Sequence, residues 1–137
     1  MLLSIVIPVY NERESLPALF SALRRVLGKD CGYEVIFVDD GSVDGTSEVL
    51  RRAANEDPRF KAIFFSRNFG HQAAITAGLD FASGDAVAVM DADLQDLTVA
   101  VRFDAHDSAS RGALDPRSLE LLAGALEVSL HLLRLLE

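Results

Sequence analysis

Three carboxylates and a carboxamide crowd into six residues, Asp91, Asp93, Gln95 and Asp96, directly after the apolar run Ala86–Met90. An apolar run bounded by a turn reads as a buried strand of a parallel sheet. Acidic residues just past its C-terminal end lie where open α/β sheets bind ligands. Asp91, Asp93 and Gln95 are spaced two apart, and in extended geometry alternate side chains share a face. The three can therefore converge on one hard cation, with positions left for water and phosphate, which suits Mg²⁺ or Mn²⁺. A polar surface turn is the competing reading. A second acidic pair, Asp39 and Asp40, follows the apolar segment Glu34–Val38 in the same way.

Net charge sharpens the question of ligand. Twenty-one acidic residues against thirteen basic give −8, which argues against nucleic acid as a partner, because no basic patch is available to neutralise phosphates. Four carboxylates in one site would also repel a diphosphate unless a divalent ion lay between them. Acidic clusters and phosphate chemistry are compatible here only through a metal.

The elements that must position these groups alternate along the chain. Leu2–Val9 reads as a first strand, with Pro8 near its end and Tyr10, Asn11 and Glu12 in the loop that follows. Leu16, Leu19, Phe20, Leu23, Val26 and Leu27 recur at helical spacing, Pro17 falls in the first turn and Gly28 suits a stop. Glu34–Val38 is the second strand. Asp44-Gly45-Thr46 opens a helix carrying Val49, Leu50 and Ala53, with Asp44 expected as its cap, and Asp57-Pro58 ends it. Phe60–Ser66 is the third strand and Arg67–Gly70 a turn. The third helix carries Ala73, Ala74, Ala77, Gly78 and Phe81, a small-residue face suited to close packing on a sheet. His71 reads as a polar residue at that helix's N-terminus more than as a ligand. Four strand–helix alternations with short connections predict an α/β fold with a doubly wound parallel sheet.

With 137 residues the chain forms one domain at most, and Cys31, its single cysteine, excludes an intrachain disulfide and fits a reducing compartment. Met1–Tyr10 lacks a basic n-region and a small-residue cleavage site, so it reads as a strand and not as a signal peptide. No apolar run reaches the ~18 residues of a membrane span. Past Asp96 the character changes: Leu97–Phe103 could be a strand, 104–115 a loop, and 116–136 a helix with a broad apolar face. That face is expected to cover the sheet, to pair two copies in a homo-oligomer, or to lie on a membrane surface.

Four motifs stand in order: Ile5-Val6-Ile7-Pro8-Val9-Tyr10-Asn11-Glu12, Val38-Asp39-Asp40-Gly41-Ser42-Val43-Asp44-Gly45-Thr46, Ser66-Arg67-Asn68-Phe69-Gly70-His71-Gln72-Ala73-Ala74-Ile75 and Met90-Asp91-Ala92-Asp93-Leu94-Gln95-Asp96. Over residues 3–96 the chain closely resembles family 2 glycosyltransferases of the GT-A fold, and within them the polyprenyl-phosphate branch, which includes dolichol-phosphate mannose synthases. The resemblance implies a Rossmann-like parallel sheet with flanking helices, the nucleotide-sugar-binding half of such an enzyme, in residues 1–96. It implies that Pro8, Tyr10 and Glu12 line the nucleotide pocket, that Asp39 contacts the base with Asp40 supporting the nucleoside, and that Arg67 and the Gly70 turn lie beside the nucleotide. Asp91 and Asp93, the catalytic pair, would flank a metal-bound diphosphate, with Gln95 as a further ligand to Mg²⁺ or Mn²⁺.

Residues 97–137 do not match the family's motifs and are expected to form a divergent tail, as in a truncated or frame-shifted product. The expected reaction is hexose transfer from a UDP- or GDP-sugar to a polyprenyl phosphate, in the cytoplasm or at the inner membrane face. The alternatives are a non-catalytic nucleotide-sugar-binding remnant and a family 2 transferase acting on a saccharide hydroxyl. The last needs a positioned base, which the sequence does not offer.

Overall fold

The structure, a computed structural model, describes residues 2–27, 32–93 and 97–101. Its elements are β1 (Leu2–Val9), α1 (Leu16–Leu27), β2 (Gly32–Asp39), α2 (Thr46–Glu56), β3 (Phe60–Phe64), α3 (His71–Phe81), β4 (Ala86–Met90) and β5 (Leu97–Val101). They form one sheet in the order β3-β2-β1-β4-β5. The first four strands are parallel, as the alternation predicts, whereas β5 runs antiparallel along β4 with Leu97 opposite Met90. The expected strand after Asp96 therefore forms and joins the same sheet as its edge. The loop expected at 104–115 and the helix expected at 116–136 lie outside the described residues.

Both faces of the sheet are covered, which explains why β1 and β2 read as mainly apolar runs. Period-two alternation divides their side chains between two cores. Ile5, Ile7, Val35 and Phe37 meet Leu16, Leu19, Phe20 and Leu23 of α1 and Leu50 of α2 on one side. Phe20, Phe37 and Phe60 form an aromatic triangle there, with centroids 5.4–5.5 Å apart. On the other side Val6, Ile36, Val38 and Val87 pack under Ala74 of α3, with Ala77 beside them. The small-residue face of α3 matters at Gly78, where an added Cβ would stand 2.2 Å from Val6 Cγ1.

The N-terminal edge of the sheet is tied by one buried carboxylate. Glu34 on β2 is 3% exposed and accepts hydrogen bonds from Ser4 Oγ, Ser83 N–H, Ser83 Oγ and Lys61 Nζ. Burial alone would raise its pKa, but the bonds from Lys61, Ser4 and Ser83 outweigh that and hold it at about 2. Gly84 N–H donates to Ser4 Oγ as well, so β1, β2 and the α3–β4 connection share a single network.

Strand order reverses at β1. The chain steps outward from β1 to β2 and β3, then returns to place β4 on the other side of β1. Open α/β sheets bind ligands at such a switch point, beyond the carboxyl ends of the strands. The residues that follow β1 and β4 are those of the first and fourth motifs.

Candidate functional site

A cleft of about 350 Å³ opens at the switch point. Pro8, Val9, Tyr10 and Glu12 line it from the end of β1, and Asp91, Ala92 and Asp93 from the end of β4. Asp40, Asn68, Gly70 and His71 complete the wall from the loops after β2 and β3. Tyr10 is 47% exposed, so its ring stands at the cleft and does not cap the core.

The loop after β1 is fixed by the loop after β2. Asn11 adopts a left-handed φ of 51°, which asparagine tolerates better than most residues. From there its N–H donates to Ser42 Oγ while its own Oδ1 accepts from Val43 N–H, both at 2.9 Å. Glu12 N–H donates to Thr46 Oγ1 at 3.0 Å. The Glu12 carboxylate accepts from Ser15 Oγ, beside the start of α1. Asp44, expected as the cap of α2, sits one residue too early for that position. Gly45, at φ 93°, is the cap, and Asp44 instead accepts from Thr46 N–H and Thr46 Oγ1, bonds that hold its carboxyl below the usual carboxylate range.

The two acids of the second motif are placed differently. Asp39 does not reach the cleft. As the last residue of β2 it follows Val35 and Phe37 to the side of the sheet that α2 covers, where it is fully buried. There its carboxylate accepts from Ser42 N–H and Ser47 Oγ. The residue expected to meet the base thus stands at the end of β2 beside the cleft and outside its lining. Asp40 does line the cleft. It is only 4% exposed, and its two oxygens accept from Phe69 N–H at 2.7 Å and Gly70 N–H at 3.2 Å.

Arg67 is exposed and is not brought to the cleft either; its guanidinium lies 4.5 Å above the Phe69 ring. Two polar residues not expected to serve the site do line it. Asn68 precedes Phe69 in the same loop. His71 opens α3, as its sequence position suggested, yet it also faces the cleft, with Nε2 3.8 Å from Asp91 Oδ1. The available signal was its place at the end of the connection that leaves the C-terminal end of β3.

Asp91 and Asp93 are the expected metal pair, and both line the cleft, Asp91 with 34% of its side chain exposed. Among the described residues no group of three or more His, Cys, Asp or Glu side chains is arranged to enclose a metal ion. Two carboxylates facing an open cleft fit a hard cation that takes its remaining oxygens from water and phosphate, as Mg²⁺ and Mn²⁺ do. They do not fit a closed zinc-type centre. Gln95, the third expected ligand, lies outside the described residues.

The family model described as "Glycosyl transferase family 2" matches residues 4–113. The chain belongs to that family. As a family 2 glycosyltransferase chain it extends its family match past residue 96, where the four motifs end. It is 53% identical over 94 residues to the uncharacterized glycosyltransferase YkcC of Bacillus subtilis, covering 68% of this chain and 29% of that protein. Against the bactoprenol glucosyl transferase of Shigella phage SfV it is 43% identical over 97 residues, covering 70% and 32%. The solved structure of a Pyrobaculum calidifontis mannosyltransferase in complex with GDP-Man and Mn²⁺ superposes with a TM-score of 0.59 at 27% identity, covering 66% of this chain and 27% of that one. The chain thus spans about a third or less of the curated relatives it matches.

Proposed function

We propose that this chain carries the donor side of a glycosyltransferase that moves a hexose from a nucleotide diphosphate sugar to a polyprenyl phosphate. The observation that carries this reading is the convergence of Tyr10 and Glu12 from β1 with Asp91 and Asp93 from β4 on one cleft at the switch point. The nucleoside lies along Pro8, Tyr10 and Glu12, where the half-exposed tyrosine offers an aromatic face. The diphosphate lies towards Asp91 and Asp93. A divalent ion held by that pair supplies the positive charge that lets phosphate approach carboxylates and that steadies the departing diphosphate. Mn²⁺ in the Pyrobaculum mannosyltransferase and the bactoprenol acceptor in the name of the phage relative support the two halves of the proposal.

A phosphate acceptor suits the residues present. It is already anionic near neutral pH, so attack on the sugar carbon needs no side chain to remove a proton. A saccharide hydroxyl would need one. No helix of the described residues is long and apolar enough to cross a membrane.

Calorimetric titration of UDP and GDP into the protein, with and without Mn²⁺, tests the donor side. Binding that requires the metal is expected, followed by transfer of labelled sugar to a polyprenyl phosphate. A folded protein that binds neither nucleotide, or binds equally well without the ion, overturns the reading.

A further inference from the structure

Asp40 is almost wholly buried at the rim of the cleft, and both of its oxygens are engaged by backbone N–H groups of one loop, those of Phe69 and Gly70. Carboxylates bonded this way form charge-assisted hydrogen bonds, roughly twice as strong as neutral ones. The neighbouring residue presses on the same loop. Gly41 has φ 75°, and a Cβ built there would stand 2.3 Å from Arg67 C and 2.5 Å from Asn68 N. The β2 turn thus touches four successive residues of the β3–α3 connection, two by hydrogen bonds and two by close backbone packing. That connection supplies Asn68, Gly70 and His71 to the cleft wall and starts the helix that sets His71 3.8 Å from Asp91.

We infer that Asp40, with Gly41, is a clamp that positions the Arg67–His71 loop as the wall of the donor cleft, and that Asp40 serves ligand binding through this loop and not by touching the nucleotide. The inference rests on the donor reading of the cleft for its binding consequence, and on geometry alone for the clamp. Asp40→Asn keeps the size of the side chain but leaves a single acceptor for two N–H groups. Gly41→Ala keeps the carboxylate and pushes the loop from the other contact.

Site-resolved amide hydrogen exchange on the ligand-free protein separates this role from direct contact. Both variants should speed exchange at Phe69 and Gly70 by about tenfold or more, the scale of a lost hydrogen bond to a charged group, while amides within β1 stay as in the wild type. Affinity for UDP or GDP with Mn²⁺ should fall by about tenfold in both. Weakened binding in Asp40→Asn with unchanged exchange at those two amides overturns the clamp in favour of direct contact. Faster exchange with unchanged affinity overturns its role in the cleft. Wild-type protein that binds neither nucleotide defeats the donor reading by itself, and unchanged exchange in both variants then defeats the clamp separately. Should Asp40→Asn melt before it can be measured, Gly41→Ala carries the same exchange comparison.

Discussion

Replacing Glu34 by Gln isolates a buried charge without changing side-chain volume. In the native fold Glu34 accepts from Ser4, from both donors of Ser83 and from Lys61, and its pKa is held at about 2 against an ordinary 4.5. A depressed carboxylate pKa contributes stability above the unfolded-state value, and this is lost as pH falls through the folded-state value. At ~1.36 kcal/mol per pKa unit the charge would be worth about 3 kcal/mol at neutral pH. Lys61 is 53% exposed, and screening of that partner reduces the figure to about 2 kcal/mol. A glutamine retains one acceptor oxygen but presents an N–H₂ to donors that need an acceptor, so Glu34→Gln should lose about that much at pH 7. Thermal or urea unfolding followed by circular dichroism from pH 7 to pH 2 gives the assay. The wild type should lose its advantage from about pH 5 downwards, and the two curves should converge near pH 2. A gap between them that stays constant across this range would refute the electrostatic account and leave only a change in packing.

Three further outcomes are expected. Gly78→Ala gains about 1 kcal/mol of helix propensity but places a Cβ 2.2 Å from Val6 Cγ1, and overpacking of about 1–3 kcal/mol should win. Val6→Ala in the same chain should recover part of that loss, and additive unfolding energies in the double mutant would show that the two side chains do not compete for space. Asp93→Asn should remove the Mn²⁺ dependence of nucleotide binding while the protein still folds, as circular dichroism would show; undiminished Mn²⁺-dependent affinity would exclude it as a ligand. Tyr10→Ala should weaken UDP or GDP binding by about 1–2 kcal/mol through loss of an aromatic face, measured by the same titration, with Tyr10→Phe close to the wild type.

The parallel sheet was legible because burial on both faces leaves mainly apolar runs, and Leu2–Val9 and Glu34–Val38 carry little else. The site was legible at the level of strand ends: Tyr10, Glu12, Asp91 and Asp93 meet because parallel strands bring every such end to one edge. What sequence could not settle was which way a side chain turns at that edge. Asp39 and Asp40 are chemically identical neighbours, and only the phase of β2 sends one under α2 and the other to the cleft rim. The cap of α2 eluded it for a related reason, since the left-handed backbone at Gly45 moves the cap one residue beyond Asp44. His71 was legible as a helix start, and nothing in its spacing tells that the start of α3 also faces Asp91.

Acidity at this edge therefore has two separate uses. Asp39 and Asp40 spend their oxygens on N–H and hydroxyl groups of the protein, and by doing so they shape the turns after β2 and β3. Asp91 and Asp93 come from the other side of the switch point and face the cleft itself. A net charge of −8 is then no obstacle to a phosphate ligand, because half of the local carboxylates are already committed to backbone donors and the other half are placed where a cation can stand between them and the phosphate. The two uses should also separate in experiment. Changes at Asp40 should act through loop order whether or not metal is present, whereas changes at Asp91 or Asp93 should alter the dependence on metal.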